Sequence, residues 1–222
     1  MGEATMTATL LKKGAEASLF LTEWHGRWVV VKWRFPKKYR PEQLDWTIRR
    51  YRTVHEPQLI HEAKRAGVPT PIIFLVDVEK SAITMEYIEG KQVKQLLDNA
   101  PEAQRRELCN SIGELVAKLH NHGVVHGDLT TSNMILTSEG RIFLVDFGLG
   151  EKTEELEAQG VDLHLLKRAL ESTHFRIAEE CYRFVLEGYG KVAGAEAAAS
   201  VLAKVREIEK RGRYVTERQQ ET

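Results

Sequence analysis

In "HGDLTTSN" Asp128 precedes Asn133 by five residues, and Asp146 follows in "LVDFGLG", all three hemmed in by apolar residues. The segment between them, "MILTSEGRIFLVD", reads as strand, turn and strand, which brings three oxygen-bearing side chains to the mouth of one hairpin. Hard oxygen donors of this kind suit magnesium, which proteins usually hold with one or two carboxylates plus substrate phosphates. Phosphoryl transfer needs that metal, a carboxylate to orient the nucleophile, and a cation on the phosphates. The cation should sit on a separate strand, and "WVVVKW" places Lys32 at the end of a β-branched run. A lysine there is costly unless paired, and the candidates on the following helical stretch are Glu56 in "RTVHEPQL" and Glu62 in "LIHEAK". A turn between the first two strands should let the backbone approach the phosphates, and "KKGAEASLF" supplies Gly14 with small neighbours.

The elements that must carry these residues follow from periodicity. From Leu10 to Lys32 short apolar runs alternate with "KKGAEA" and "EWHGR", which predicts an antiparallel meander with a hairpin at Gly26. Pro36, Pro41 and Pro57 punctuate the next stretch, so a loop and two helices are expected, the second starting near Thr53 and ending at Gly67. "IIFLVDVEKSAITMEYI" adds two strands around a turn at Glu79 to Ser81, and "EGKQV" is a connector. Between Ala103 and His122, apolar residues at Leu108, Ile112, Leu115, Val116 and Leu119 recur at helical spacing up to Gly123. Beyond Gly150 three further helices are expected, in "VDLHLLKRAL", "FRIAEECYRFVLEGYG" and "AEAAASVLAKVREIEKRG".

Composition bounds the function. The 222 residues carry 32 basic and 32 acidic side chains, so any attraction for nucleic acid must be local. Cys109 and Cys181 have no neighbouring Cys or Cys/His cluster, which argues against a disulfide framework or structural zinc and for buried thiols. No apolar run reaches the length of a membrane span and "MGEATMTATL" is unlike a secretory signal, so a cytoplasmic protein is expected. Met6 stands where a myristoylation signal needs Ser or Thr.

Taken singly, the site residues have plainer readings. "DFG" can simply end a strand, and Asp128 or Asn133 can cap a helix or close an Asx turn. Their order and spacing together outweigh those readings. "HGDLTTSN" matches the H-x-D-x-x-x-x-N catalytic loop, and "DFG" the metal-binding motif, of the protein-kinase-like fold. The resemblance implies one α+β domain over residues 1–222. Its bilobed protein-kinase-like fold would pair a small antiparallel-sheet N-lobe (about 1–88) with a reduced, mainly helical C-lobe (about 89–222) that includes a basic C-terminal tail. His126 is expected to pack and hydrogen-bond without chemistry, and Glu16 to be a solvated loop acid.

Three departures from ordinary protein kinases narrow the resemblance. The phosphate loop reads "GAEAS" in place of G-x-G-x-x-G, Gly127 replaces the usual arginine, and no A-P-E signature follows "DFGLG", with nine residues between Gly150 and Gly160. Together with "AGVPTP", "MEYIEG", "VDLHLLKRALESTH" and "EKRGRY", the chain resembles the small atypical kinase subunit of the KEOPS complex, of the archaeal type.

That resemblance implies an ATP-dependent Ser/Thr kinase and ATPase. It would work with the KEOPS threonylcarbamoyltransferase subunit and other KEOPS subunits on threonylcarbamoyl-adenosine in tRNA. Lys32 would hold the α- and β-phosphates with Glu56 as its partner, Glu62 remaining the second choice. Asp128 would orient the attacking hydroxyl or water, and Asn133 and Asp146 would hold Mg2+. Met85 would be the gatekeeper, and the backbone of Glu86 and Ile88 would bond adenine. Asp162 either braces the catalytic loop or caps the helix "LHLLKRAL".

The stretch from Lys32 to Arg52 holds eight Lys or Arg, with Trp33, Tyr39 and Tyr51 among them, and reads either as a tRNA backbone contact or as a solvated helix face. Lys210, Arg211 and Arg213 make the basic tail. A nucleotide-binding scaffold and a small-molecule phosphotransferase are the alternative functions. The intact Lys32, Asp128, Asn133 and Asp146 count against the first, and the short chain against the second. A RIO-type kinase fits "RTVHE" and "DLTTSN" less well.

Overall fold

The computed structural model describes residues 8–220, and side chains from residue 8 to residue 211. Met6 and the side chains of Arg213 and Tyr214 lie outside the described residues. Strands β1 (Thr9–Lys13), β2 (Ser18–Trp24) and β3 (Arg27–Trp33) form the expected meander. Trp24 pairs with Arg27, so the β2–β3 loop is the dipeptide His25-Gly26, both at positive φ (51° and 73°), a geometry whose twist matches the strands. Strands β4 (Ile73–Asp77) and β5 (Ala82–Glu86) complete an antiparallel sheet of order β1-β2-β3-β5-β4.

Between β3 and β4 runs a single helix, α1 (Glu42–Arg65), where two were expected. Pro57 lies inside it. Proline removes one helical hydrogen bond, but Thr53, Glu56, Leu59, Ile60 and Ala63 are all buried on one face, and that tertiary anchoring holds both halves in line. Gly67 does end the helix. At φ 78° its amide reaches Lys64 O (2.9 Å) and that of buried Val68 reaches Ala63 O (3.0 Å), the paired bonds of a Schellman cap.

The second half begins with β6 (Lys91–Gln92), the short α2 (Val93–Leu96) and α3 (Glu102–Asn121), whose five apolar positions named above are all buried. β7 (Val124–Val125) enters the catalytic loop, a 3-10 turn spans Thr131–Asn133, and β8 (Met134–Leu136) and β9 (Ile142–Leu144) form the hairpin, with β6 added to it. β10 (Glu151–Lys152) pairs back onto β7. Three helices follow, α4 (Leu156–Thr173), α5 (Ala178–Ala193) and α6 (Ala195–Gln220), and the basic tail is the continuation of α6.

The core joins α3, α4 and α5 with Leu59, Ile60 and Ala63 of α1, so the catalytic loop sits on a rigid base that also grips the sheet-side helix. α3 and α5 approach until a Cβ on Gly113 or Gly188 would strike the facing backbone. Cys109 and Cys181 are free and buried at this interface, where hydrogen bonding to Cys181 and burial push the Cys109 thiol up.

Candidate active site

Lys32, Asp128 and Asp146 line one cleft, with Glu56 bonded to Lys32 and Asn133 bonded to Asp128. β3 carries Lys32 inward (6% exposed), and α1 brings buried Glu56 against it: Lys32 Nζ donates to Glu56 Oε1 at 2.8 Å and to Asp146 Oδ1 at 2.6 Å. Glu56 is thus the partner of Lys32. Glu62 faces elsewhere, towards Lys152 and His122, and the Lys152 hydrogen bond holds its carboxyl at about 2.

Asp146 follows β9 at φ 67°, a conformation that turns its carboxylate back into the cleft, with Gly148 N donating to its Oδ1 at 3.4 Å. Burial pushes its carboxyl up, but the Lys32 ammonium outweighs this, and Asp146 is held at about 2 and stays ionised. Phe147 is wholly buried against His126, ring centroids 4.4 Å apart, which locks the turn from below. Asn133 donates its side-chain amide to Asp128 O (3.0 Å) and Asp128 Oδ2 (2.8 Å), so its own oxygen is left as an acceptor.

The catalytic loop is braced from both ends. Asp162 Oδ2 and Oδ1 accept from the amides of His126 (2.6 Å) and Gly127 (2.8 Å). α4 starts at Leu156, so Asp162 lies inside the helix, and of its two readings the cap falls away. His120 connects Asp162 (3.4 Å) to the Tyr189 hydroxyl (3.0 Å), tying α3, α4 and α5 to the loop. Sequence reasoning missed the other brace: buried His174 bridges Thr131 Oγ1 (3.0 Å) and Asp98 Oδ1 (2.9 Å). His126 packs and bonds Val145 O (3.2 Å), the structural part expected of it.

A cleft of about 310 Å3 lies between the halves, lined by Gly14, Glu16, Lys32, Arg34, Arg52, Asp128, Asp146 and Gly148 among others. Gly14 opens the β1–β2 turn, closed by Gly14 N to Ala17 O at 2.9 Å. Glu16 is not simply solvated. It bonds Arg40 (2.9 and 3.3 Å) and pairs with Arg52 (3.3 Å), and the Arg40 hydrogen bond holds its carboxyl below the usual range. Lys37 bonds Ala15 O, so the turn is strapped to the segment before α1. Arg34, buried and bonded to Glu56 Oε2, is a second cation that spacing alone did not single out. Of the residues expected near adenine, Met85 and Ile88 are buried, and Glu86 donates its amide to Ile72 O at 2.8 Å; the cleft of about 310 Å3 is not lined by these three.

The basic stretch is largely engaged inside the molecule. Lys32 and Arg34 are buried in the site, Arg40 and Arg52 hold Glu16, and Arg49 bonds Asp45 (2.7 Å) and Ser81 (3.0 Å). Lys38, Tyr39, Arg50 and Tyr51 are exposed. In the tail, Arg211 pairs with Glu157 of α4. No helix among the described residues is long and apolar enough to cross a membrane.

The chain is similar to known proteins in sequence and in fold. The protein kinase domain model matches residues 13–179. The KEOPS complex subunit Bud32 of Pyrococcus abyssi is 46% identical over 92% of this chain and 96% of its own. A probable bifunctional tRNA threonylcarbamoyladenosine biosynthesis protein of Methanothermobacter thermautotrophicus is 44% identical over 92% of this chain, which spans only 36% of that longer protein. Among solved structures, the Rio2 kinase–ADP/Mg2+–phosphoaspartate complex from Chaetomium thermophilum superposes with a TM-score of 0.62 at 16% identity, over 92% of this chain and 71% of that one, a likeness of fold. With the family model covering most of the chain and an archaeal relative matched almost end to end, the chain belongs to the protein kinase domain family and, within it, to the Bud32 family of KEOPS subunits.

Proposed function

We propose that the chain binds ATP with Mg2+ and moves the γ-phosphate to water or to a Ser/Thr hydroxyl, as the kinase and ATPase of a KEOPS assembly that makes threonylcarbamoyladenosine in tRNA. The observation that carries the reading is the cleft lined by Lys32, Asp128 and Asp146, with Glu56 bonded to Lys32 behind it and Asn133 bonded to Asp128. The KEOPS and tRNA parts rest on the names of the relatives.

In this reading Lys32, positioned by Glu56, binds the α- and β-phosphates, and the Gly14 turn lays backbone over them. The backbone of Glu86 and Ile88 bonds adenine beside Met85. The Asn133 oxygen and the ionised Asp146 form a hard donor pair that fits magnesium held jointly with phosphates. When bound, the metal neutralises charge on the transferring phosphate. Asp128, fixed by the Asn133 amide, accepts a hydrogen bond from the attacking hydroxyl and orients it in line. In this reading tRNA would meet the exposed Lys38, Tyr39, Arg50 and Tyr51 of the basic stretch.

The test is phosphate release from Mg2+·ATP by the purified chain, alone and with the threonylcarbamoyltransferase subunit, with and without tRNA, beside Asp128→Ala. Turnover that needs Asp128 and rises with partner and tRNA is expected. Turnover absent under every condition, or unchanged in Asp128→Ala, would leave a nucleotide-binding scaffold.

A further inference from the structure

We propose that Arg34 is a positioning residue that holds Glu56, and with it α1, in the assembled arrangement whether or not Lys32 is paired. The inference rests on the phosphotransfer reading of the same site. Arg34 follows Lys32 by two residues, so alternation along the extended chain points both side chains to the same face, and both are buried. The Glu56 carboxylate is divided between them: Oε1 takes Lys32 at 2.8 Å and Oε2 takes Arg34. Arg34 Nη1 also reaches the Thr53 hydroxyl at 3.4 Å, one turn earlier on α1. A guanidinium fork is suited to such two-point attachment, whereas an ammonium is a point charge.

The charges alternate along the row Arg34, Glu56, Lys32, Asp146. Nucleotide with magnesium must draw Lys32 towards phosphate and Asp146 towards the metal. With Lys32 as sole partner, Glu56 would then share its only cation, and a buried carboxylate so weakened invites the helix to swing away. Arg34 removes that weakness. It also takes part of the Glu56 charge, leaving more of the Lys32 charge for the phosphates. Gly148 closes the arrangement from the other side: a Cβ there would lie 3.2 Å from Asp146 Oδ1, 3.5 Å from Arg34 Nη2 and 3.6 Å from Glu56 Oε2. Farther along α1, Lys152 of β10 bonds Glu62, so the short segment after Gly150 is tied to the same helix. The assembled site therefore needs no phosphorylated segment to hold α1 in place.

The experiment is a double-mutant cycle in the full chain: Arg34→Gln, Glu56→Gln and both, with Arg34→Lys alone and in the Glu56→Gln background. Mg2+·ADP affinity, kcat and KM for ATP, and the melting curve are recorded for each. Arg34→Gln should lower kcat on the order of 100-fold, the effect of a small misplacement of catalytic groups. It should weaken Mg2+·ADP, and Arg34→Lys, which keeps the charge but loses the two-point attachment to Glu56 and Thr53, should recover only part of both losses. In the Glu56→Gln background, replacing Arg34 by Gln or Lys should change either quantity less than about three-fold, because a residue acting through Glu56 loses its effect with it. Losses that multiply would show Arg34 acting on the nucleotide directly and overturn the proposal, as would equal losses in Arg34→Gln and Arg34→Lys. Should Arg34→Gln fail to fold, Arg34→Lys carries the same comparison. Wild-type protein without Asp128-dependent turnover would defeat the phosphotransfer reading alone, since the ADP arm still reports on Arg34.

Discussion

At Gly127 the backbone adopts φ 77°, and a Cβ there would collide with the Leu149 carbonyl. The glycine between His126 and Asp128 is thus required by the crossing of the catalytic loop under the segment after "DFG". Gly127→Ala should destabilise the chain by about 3 kcal/mol or more, strain plus collision, read as a lower urea midpoint. Asp146 carries a pH prediction. Its folded value, about 2, lies below its ordinary 3.8, so its contribution to stability is complete above about 3.8 and is lost as pH falls towards 2. The difference in denaturation midpoint between wild type and Asp146→Asn should therefore shrink between pH 4 and pH 2, and nucleotide affinity should show no titration of Asp146 above pH 5. The types and spacing of Lys32, Asp128, Asn133 and Asp146 drew attention to residues that the fold does bring into contact, Lys32 with Asp146 and Asn133 with Asp128. His174 and Arg34 were not legible in this way, since their meaning lies in distant partners: Asp98 is 76 residues from His174, and Glu56 is 22 from Arg34.

Among the elements, α1 shows where local signals mislead. Pro57 suggested a break and kept Glu62 open as second choice to Glu56 for pairing with Lys32, whereas the unbroken helix turns Glu56 inward and Glu62 towards Lys152. The same shift of a boundary settled Asp162, because α4 begins six residues before it. The α3 pattern was readable since its apolar period maps directly onto a buried face, whereas the strands were readable from their apolar runs and turns, β1 being exposed throughout and β2 burying Ser18 and Thr22. If packing alone holds α1 through Pro57, Pro57→Ala should restore the bond to the Thr53 carbonyl and stabilise the chain by about 1–2 kcal/mol in thermal or urea unfolding. A loss of stability would show that the proline shapes the helix. At the α3–α5 crossing, Gly113→Ala and Gly188→Ala should each cost about 3 kcal/mol or more, and the double variant less than their sum, because either one separates the same pair of helices.

For the whole molecule, 32 positive and 32 negative charges cancel, and much of the local basic excess is bound up in ion pairs with Glu16, Asp45 and Glu56. The isolated chain should accordingly bind tRNA weakly, with a slope of log affinity against log salt of about −2 if Lys38 and Arg50 each meet one phosphate. Lys38→Glu with Arg50→Glu should abolish that slope while leaving the melting curve unchanged. Reversal at Arg49 would instead disturb its bonds to Asp45 and Ser81 and confuse stability with binding. The lining of the cleft bears on chemical probes. Phe147 is wholly buried, and Gly148 rests on the Arg34–Glu56 pair. A compound seated in the cleft would meet Glu16 held by Arg40 and Arg52, so Glu16→Gln should alter the affinity of cationic compounds there more than the melting curve.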